Sequence, residues 1–180
     1  MDIKSDVVVR MVRHEDTQIL MDFMNVISRE QTYIMYQGKQ FEFEAEDSYI
    51  KQFMTSVDRG DAVKLLAFYK DTLVGVADVV RSAYETEKHI CTFGIIIARD
   101  WRGKGIGSYL MDLTLTEMQK SMKDISIVRL GVFGNNALAE RMYTKKGFTR
   151  YGVLPEGLIH KGVRVDHIFM YKQVTNSPTL

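Results

Sequence analysis

Cysteine, proline and net charge are the features that this sequence has least of. Its 180 residues include one cysteine, Cys91, and two prolines, and the formal net charge is +1. A single cysteine excludes an intramolecular disulfide and a zinc cluster built from cysteines. A nearly neutral chain without a long basic tract gives no sign of a nucleic-acid partner. We therefore expect neither nucleic acid nor a metal ion among its ligands.

Long hydrophobic runs are also missing. No stretch approaches the ~20 apolar residues that a membrane span needs. The N-terminal segment MDIKSDVVVRMVRHED is too charged to be a signal peptide. The hydrophobic fraction of 46% and the charged fraction of 26% are ordinary for a globular domain. We expect a cytoplasmic protein without membrane contact, with a single domain over residues 1–174 and a flexible tail over residues 175–180.

The spacing of apolar residues predicts alternating strands and helices. An exposed connection is expected over residues 30–44. Antiparallel hairpins together with β-α-β passages predict a mixed sheet with helices on its faces. In chain order the predicted elements are strand 7–12, helices 15–27 and 46–57, strands 63–69, 73–80 and 90–98, a helix from 106 to about 122, strand 127–133, a helix after Asn136 that ends at 146, and strands 149–154 and 165–172.

Three glycines follow the apolar strand in residues 94–110, GIIIARDWRGKGIGSYL. Gly103, Gly105 and Gly107 leave the backbone bare where a strand passes into a helix. The start of a helix has unpaired N–H groups and a partial positive charge, so this turn is suited to binding an anion. The alternative is a tight connection that binds nothing. The spacing fits neither GxxxxGK[ST] nor GxGxxG, which argues against a nucleotide-binding switch.

Two motifs resemble the GNAT superfamily of acetyltransferases. Residues 102–107, RGKGIG, are similar to its acetyl-CoA pyrophosphate loop, [R/Q]-x-x-G-x-[G/A]. Residues 136–148, NALAERMYTKKGF, match its pattern N-x-x-A-x-x-x-Y-x-x-x-G-F. Taken singly, Asn136 is also explained as a helix cap and Tyr143 as a core tyrosine. The joint spacing of the two motifs is not explained in that way.

The resemblance implies an α/β (α+β) fold with a mixed, mostly antiparallel sheet of about seven strands flanked by about four helices. It implies an enzyme that moves acetyl from acetyl-CoA to a primary amine, with no metal. The strand before the glycine turn is expected to bind the pantetheine arm and the reaction's oxyanion. The cofactor-binding residues that it implies are Ile95, Ile96, Ile97, Arg102, Gly103, Lys104, Gly105, Ile106, Gly107, Ser108, Asn136 and Tyr143.

Tyr143 stands where related enzymes place the general acid. A phenol with a pKa near ~10 can protonate the departing thiolate, whose pKa is near ~8.5. The usual general bases are missing, because Gly131 and Thr92 occupy the two positions where subfamilies carry glutamate. The base is left open among four candidates. These are Asp78, Glu85, Glu87 and His89.

The acceptor wall is expected in the segment EQTYIMYQ, residues 30–37. Glu30, Tyr33 and Tyr36, with Glu85, would suit a cationic amine, although an exposed loop explains the same residues. The expected acceptors are a polypeptide N-terminus or lysine, a polyamine or another small amine. Related proteins are often dimers, so a homodimer is also expected. The missing base leaves one alternative function, a catalytically silent sensor that binds acyl-CoA.

Overall fold

A seven-stranded mixed sheet forms the centre of the structure, a computed structural model that describes residues 6–174. Its strand order is β1-β2-β3-β4-β5-β7-β6, and only β4 and β5 pair in parallel within the described range. The strands are β1 (Val7–Met11), β2 (Ala62–Tyr69), β3 (Thr72–Arg81), β4 (Ile90–Ile97), β5 (Ile127–Phe133), β6 (Thr149–His160) and β7 (Val163–Gln173).

Four α-helices flank this sheet in the part of the chain that the structure describes. They are α1 (Thr17–Arg29), α2 (Phe43–Asp58), α3 (Ile106–Ser121) and α4 (Ala137–Lys145). The predicted fold class is therefore confirmed, as are all eleven predicted elements in their order. The predicted tail over residues 175–180 lies outside the described residues. Among residues 6–174, no helix has the length and apolar character needed to cross a membrane.

The last hairpin is longer than its sequence predicts. We predicted this strand over about Thr149 to Leu154, and the Pro155 and Gly157 that follow are residues that usually interrupt a strand. In the structure β6 continues to His160, with a register shift between Leu154 and Leu158. β6 lies at the edge of the sheet and pairs only with β7 among the described strands. An edge strand tolerates proline at such an irregularity, because the missing N–H faces away from the neighbouring strand.

Two apolar layers enclose the sheet. Alternate residues of β5, Val128, Leu130 and Val132, belong to the core that includes α3, as the two-residue period of a strand requires. On the other face, α1 and α2 bury Leu66 and Val76. That second layer lies over β2 and β3, and it leaves the same face of β5 and β7 available for other contacts.

The central feature of the sheet is the separation of β4 from β5. Their parallel pairing, within the described chain, covers Ile90–Thr92 on β4 and Ile127–Arg129 on β5. Beyond that point β4 remains paired with β3 as far as Ile97, while β5 remains paired with β7. The facing edges of β4 and β5 therefore present backbone N–H and C=O groups that can bind an extended ligand as an added strand.

Candidate active site

A cavity of about 750 Å³ opens where β4 and β5 separate. Its walls come from the end of β4, the glycine turn, β5, helix α4 and the segment between α1 and α2. The structure thus brings ten of the twelve predicted cofactor-binding residues to one cavity. These are Ile95, Ile96, Ile97, Arg102, Gly103, Gly105, Gly107, Ser108, Asn136 and Tyr143.

The other two predicted cofactor-binding side chains do not line the cavity. Ile106 is fully buried and packs into the core, because the first turn of α3 must cover the sheet. The ammonium group of Lys104 lies 5.0 Å from the centre of the Trp101 ring. For Ile106, only the backbone N–H at the start of α3 remains suited to a ligand.

The glycine turn has the geometry that bare backbone permits. Gly103 has φ +74° and Gly105 has φ +80°, both in the left-handed region that favours glycine. Gly105 is the N-cap of α3, so the first N–H groups of the helix follow it without intrahelical partners. Together with the helix dipole, these groups form a site suited to an anion.

Arg102 is held by two contacts beside this turn. Its Nε donates a hydrogen bond to the carbonyl oxygen of Ile97 at 2.8 Å, and its guanidinium contacts the Glu30 carboxylate at 2.7 Å. Arg99 approaches the same carboxylate at 3.6 Å. Glu30 was predicted to face the acceptor, but it is not among the residues that line the cavity. The Glu30 carboxylate is thus paired with two arginines beside the glycine turn, and its role towards the acceptor stays a prediction.

Tyr143 lines the cavity from helix α4. Its ring packs against Phe93 and Phe148, and the residue is only 8% exposed. Desolvation raises the pKa of the Tyr143 phenol to about 12, so the hydroxyl keeps its proton at neutral pH. No hydrogen bond engages this hydroxyl within residues 6–174. The structure therefore favours a tyrosine whose hydroxyl is available to a ligand over a core tyrosine whose hydroxyl is already hydrogen-bonded.

Asn136 caps a helix at the edge of the cavity. Its side-chain oxygen accepts a hydrogen bond from the N–H of Ala139 at 3.2 Å, which caps α4. Asn136 also lines the cavity. At the other end of α4, Gly147 has φ +86°, which is the left-handed conformation expected after a helix C-terminus. The second motif thus builds the helix that places Tyr143.

The segment between α1 and α2 forms one wall of the cavity. Tyr33 donates a hydrogen bond to the Asn135 carbonyl at 3.3 Å and packs against His160, with 4.6 Å between ring centres. Tyr36 packs edge-on against Phe41. Both tyrosines line the cavity, and they are 40% and 42% exposed, respectively. The segment is mostly exposed, as predicted, but it is fixed by these contacts.

Glu85 does not reach the cavity. It starts a short 3₁₀ helix and pairs with Lys88. Glu87 contacts Ser82 and Arg129, and His89 is exposed. Of the four candidate bases, only Asp78 lies beside a residue that lines the cavity, because it is paired with Gly94 across β3 and β4.

Cys91 is excluded as a covalent carrier of the acyl group. The side chain is fully buried and contacts the sulfur of Met118 at 3.5 Å. Burial raises the pKa of the Cys91 thiol to about 12, which suppresses the thiolate that nucleophilic attack requires. Since the sequence has no other cysteine, a cysteine thioester intermediate is ruled out. No group of three or more metal-ligating side chains occurs among the described residues.

Sequence reasoning missed the cations of α4 at the cavity. Arg141 and Lys145 are exposed, and with Lys146 they line it. Their spacing of four residues places Arg141 and Lys145 on one side of the helix. That spacing was a signal available in the sequence, but it acquires meaning only when α4 is known to border the cavity.

Comparison with known proteins identifies the class. The model of the acetyltransferase (GNAT) family matches residues 23–148. L-amino acid N-acetyltransferase AaaT of Escherichia coli K12 is 28% identical over 113 residues, which cover 63% of this chain and 69% of that protein. The chain therefore belongs to the GNAT family of acetyltransferases. It is an acyltransferase, an N-acetyltransferase of that family.

Solved structures show the same fold. A GNAT-family acetyltransferase from Streptococcus pneumoniae superposes with a TM-score of 0.85 at 23% identity, covering 93% of this chain and 99% of that one. The protein yncA from Salmonella typhimurium, solved with its cofactor acetyl-CoA, has a TM-score of 0.83 at 15% identity, and the match covers 97% of each chain. At these identities the likeness concerns the fold alone.

Proposed function

We propose that this protein transfers the acetyl group of acetyl-CoA to a primary amine by direct attack, with Tyr143 as the general acid. The observation that carries the proposal is one cavity lined by the glycine turn before α3, by the facing ends of β4 and β5, and by Tyr143. Acetyl-CoA as cosubstrate is supported by family membership and by the acetyl-CoA-bound yncA structure.

The cavity offers a separate group to each part of acetyl-CoA. The backbone N–H groups that follow Gly105, together with Arg102, suit the pyrophosphate. The free edge of β4 over Ile95–Ile97 suits the pantetheine arm. One of its N–H groups would stabilise the oxyanion that forms when the amine attacks the thioester carbonyl. Since Cys91 is buried, direct attack is the route that this chain supports.

Tyr143 would protonate the departing sulfur. Its pKa of about 12 exceeds the usual thiol value, so transfer to a thiolate in water would be unfavourable. The dry surroundings that raise the phenol pKa act on the leaving thiolate in the same direction, because burial disfavours every anionic form. The phenol would therefore hydrogen-bond the developing negative charge on sulfur and neutralise it as the carbon–sulfur bond breaks.

The acceptor belongs to the class of primary amines. The acceptors predicted from the sequence all remain candidates: a polypeptide N-terminus or lysine, a polyamine, or another small amine. The E. coli relative is named for L-amino acids, which places free amino acids in the first group to test. Tyr33 and Tyr36 are proposed as part of the acceptor wall, because both line the cavity from the segment between α1 and α2. The homodimer stays a prediction.

Thiol release from acetyl-CoA tests this function. The purified chain is given L-amino acids, short peptides with varied N-termini, and spermidine, and free CoA is measured with a thiol reagent. Wild type should release thiol only when an acceptor is present. If no amine causes thiol release while acetyl-CoA still binds, the acyl-CoA sensor is the correct function.

Tyr143→Phe is the matched variant. Loss of a general acid should lower kcat by about 10²-fold or more, whereas the affinity for acetyl-CoA should change little because the ring is retained. Tyr151→Phe serves as the control, since Tyr151 is exposed on β6 and does not line the cavity. Equal turnover by Tyr143→Phe and wild type would exclude Tyr143 as the acid.

A further inference from the structure

Two glycines lie on opposite sides of the gap where β4 and β5 separate. The parallel register ends with Thr92 opposite Arg129, and two further residues along each strand bring Gly94 and Gly131 to one level. The Arg129 side chain approaches the Thr92 hydroxyl at 3.4 Å, so both side chains lie on the same face. By the two-residue period of a strand, Gly94 and Gly131 face that side as well. Both glycines line the cavity.

A carboxylate lies beside the first glycine. A Cβ built on Gly94 would be 3.1 Å from Oδ1 of Asp78. The other oxygen of Asp78, Oδ2, is 3.2 Å from the ammonium of Lys64, a side chain that is only 6% exposed. Lys64 also donates to the Tyr49 hydroxyl at 3.0 Å. The buried lysine thus fixes Asp78 and leaves Oδ1 directed towards Gly94, where a cationic group can meet it.

An imidazole lies beside the second glycine. A Cβ built on Gly131 would clash with Nε2 of His167. The imidazole ring therefore occupies the space that a side chain at residue 131 would need. Nε2 is buried and has no hydrogen-bond partner among the described residues. A buried polar atom without a partner is costly, so its presence beside a cavity-lining residue indicates a ligand that satisfies it.

We propose that the acceptor amine binds over Gly94 and Gly131, with its ammonium held by Asp78 and its proton taken by Nε2 of His167. The proposal rests on the acetyl transfer proposed above and names the residues that serve its acceptor. The glycines allow this binding because neither has a Cβ to block it. Proton transfer requires the imidazole edge to move from the Gly131 backbone to the amine.

The bound ammonium gives one proton to neutral His167 and becomes an amine with a free electron pair. That pair forms the carbon–nitrogen bond, the carbon–sulfur bond breaks, and the thiolate receives the Tyr143 proton. The acylated nitrogen gives its second proton through water to the Tyr143 phenolate, and the imidazolium releases its proton to solvent. The net products are the amide, the CoA thiol and one proton. Desolvation lowers the pKa of the His167 imidazole, so the ring is neutral and able to accept a proton at neutral pH.

His167→Ala with added imidazole tests the proton acceptor. The acceptor is the compound that wild type acetylates fastest among the L-amino acids, peptides and spermidine. The variant should lose about 10²-fold or more in kcat/KM for that amine, and free imidazole should restore at least about a tenth of the lost rate, since it can occupy the space left by the ring. A merely structural histidine would not give this rescue. His89→Ala, on an exposed residue, should match wild type.

Gly131→Ala provides a second route to the same site. Its methyl group would displace the imidazole of His167. The loss of kcat/KM for the amine should therefore equal the loss in His167→Ala. In the double variant His167→Ala/Gly131→Ala the loss should be no greater, but imidazole should no longer rescue. The proposal is overturned if folded His167→Ala, with unchanged acetyl-CoA affinity, keeps wild-type kcat/KM or gains nothing from imidazole.

Asp78→Asn tests the ammonium site. It should raise the KM for the amine about tenfold or more, as expected for loss of a charged hydrogen-bond partner, with the acetyl-CoA affinity unchanged. Asp71→Asn, on the exposed turn between β2 and β3, is the control. If Asp78→Asn does not fold, Lys64→Met/Asp78→Asn removes both charges and is measured in the same way. An unchanged amine KM overturns this part.

The two proposals fail in different ways. If wild type acetylates no amine, the transferase function itself is wrong. If wild type acetylates an amine and the His167 and Asp78 variants do so equally well, only the assignment of the acceptor site is wrong.

Discussion

Gly105 and Gly107 lie two residues apart, yet an added methyl group would act differently on each. Gly105 has φ +80°, and a non-glycine residue there costs about 1–2 kcal/mol. Gly107 lies within the first turn of α3, where its Cβ would have ordinary contacts with Ile97, Met142 and Ile95. All three side chains line the cavity, so the methyl group would narrow the gap between β4 and α4.

Gly107→Ala should therefore separate binding from stability. The melting temperature should stay level or rise, because alanine favours a helix by about 1 kcal/mol over glycine. The affinity for acetyl-CoA should fall by about tenfold, or about 1.4 kcal/mol. Calorimetric titration with acetyl-CoA and a thermal melt check both values. Unchanged affinity would mean that the ligand does not pass this glycine.

The sequence predicted single residues well where backbone conformation decides the role. Gly103, Gly105 and Gly147 all have positive φ, as turn and cap positions require. The 2.7 Å contact between Glu30 and Arg102 was not predicted, because the two residues are 72 positions apart and the sequence gives no local signal of the pairing. Side-chain pairing over such a separation is decided by the fold.

At the scale of elements, an ion pair joins β1 to the start of α1. Arg10 contacts both oxygens of Asp16, at 2.7 and 2.6 Å, and the N–H of Arg13 donates to the same carboxylate at 2.7 Å. Burial by itself would raise the pKa of Asp16, but the hydrogen bonds from Arg10 and Arg13 outweigh it and hold that pKa below its usual value. The carboxylate therefore stabilises the fold in its ionised form.

Asp16→Asn should lower the free energy of unfolding by about 1.5–3 kcal/mol near neutral pH, the range for hydrogen bonds to charged groups. Since the folded pKa is lowered, this stability is present above the unfolded pKa of about 3.9 and is lost as the pH falls through the folded value. Urea unfolding of both proteins at pH 7 and at about pH 3 checks the sign. A difference that does not shrink in acid would contradict the pairing.

Element boundaries show where periodicity fails. β5 was predicted at Ile127–Phe133 and is found there, because its apolar residues alternate and a helix cap follows. β6 and β7 extend further than predicted, to Thr149–His160 and Val163–Gln173. The pairing of β6 with β7 at the edge of the sheet outweighs the tendency of Pro155 and Gly157 to end a strand.

At the scale of the whole molecule, the gap between β4 and β5 is a break in an otherwise continuous sheet. A ligand that fills it joins the two halves, so acetyl-CoA should stabilise the fold. At 100 times its Kd a ligand adds about 2.7 kcal/mol. For a chain of this size, that raises the melting temperature by about 5–10 °C.

A thermal melt with acetyl-CoA, and separately with ATP, checks this effect. ATP should give a smaller shift because it lacks the pantetheine arm that pairs with β4. A larger shift with ATP than with acetyl-CoA would favour a nucleotide-binding protein instead.

The sequence by itself determined the order of the elements, the glycine turn, the tyrosine of the second motif and the family, because each depends on local spacing. Only the tertiary structure decided that β4 and β5 separate after three paired residues on each strand. It also decided that Asp78 and His167 lie beside Gly94 and Gly131. The physical reason is that strand separation and side-chain proximity depend on how distant segments pack, and local periodicity contains no information about that packing.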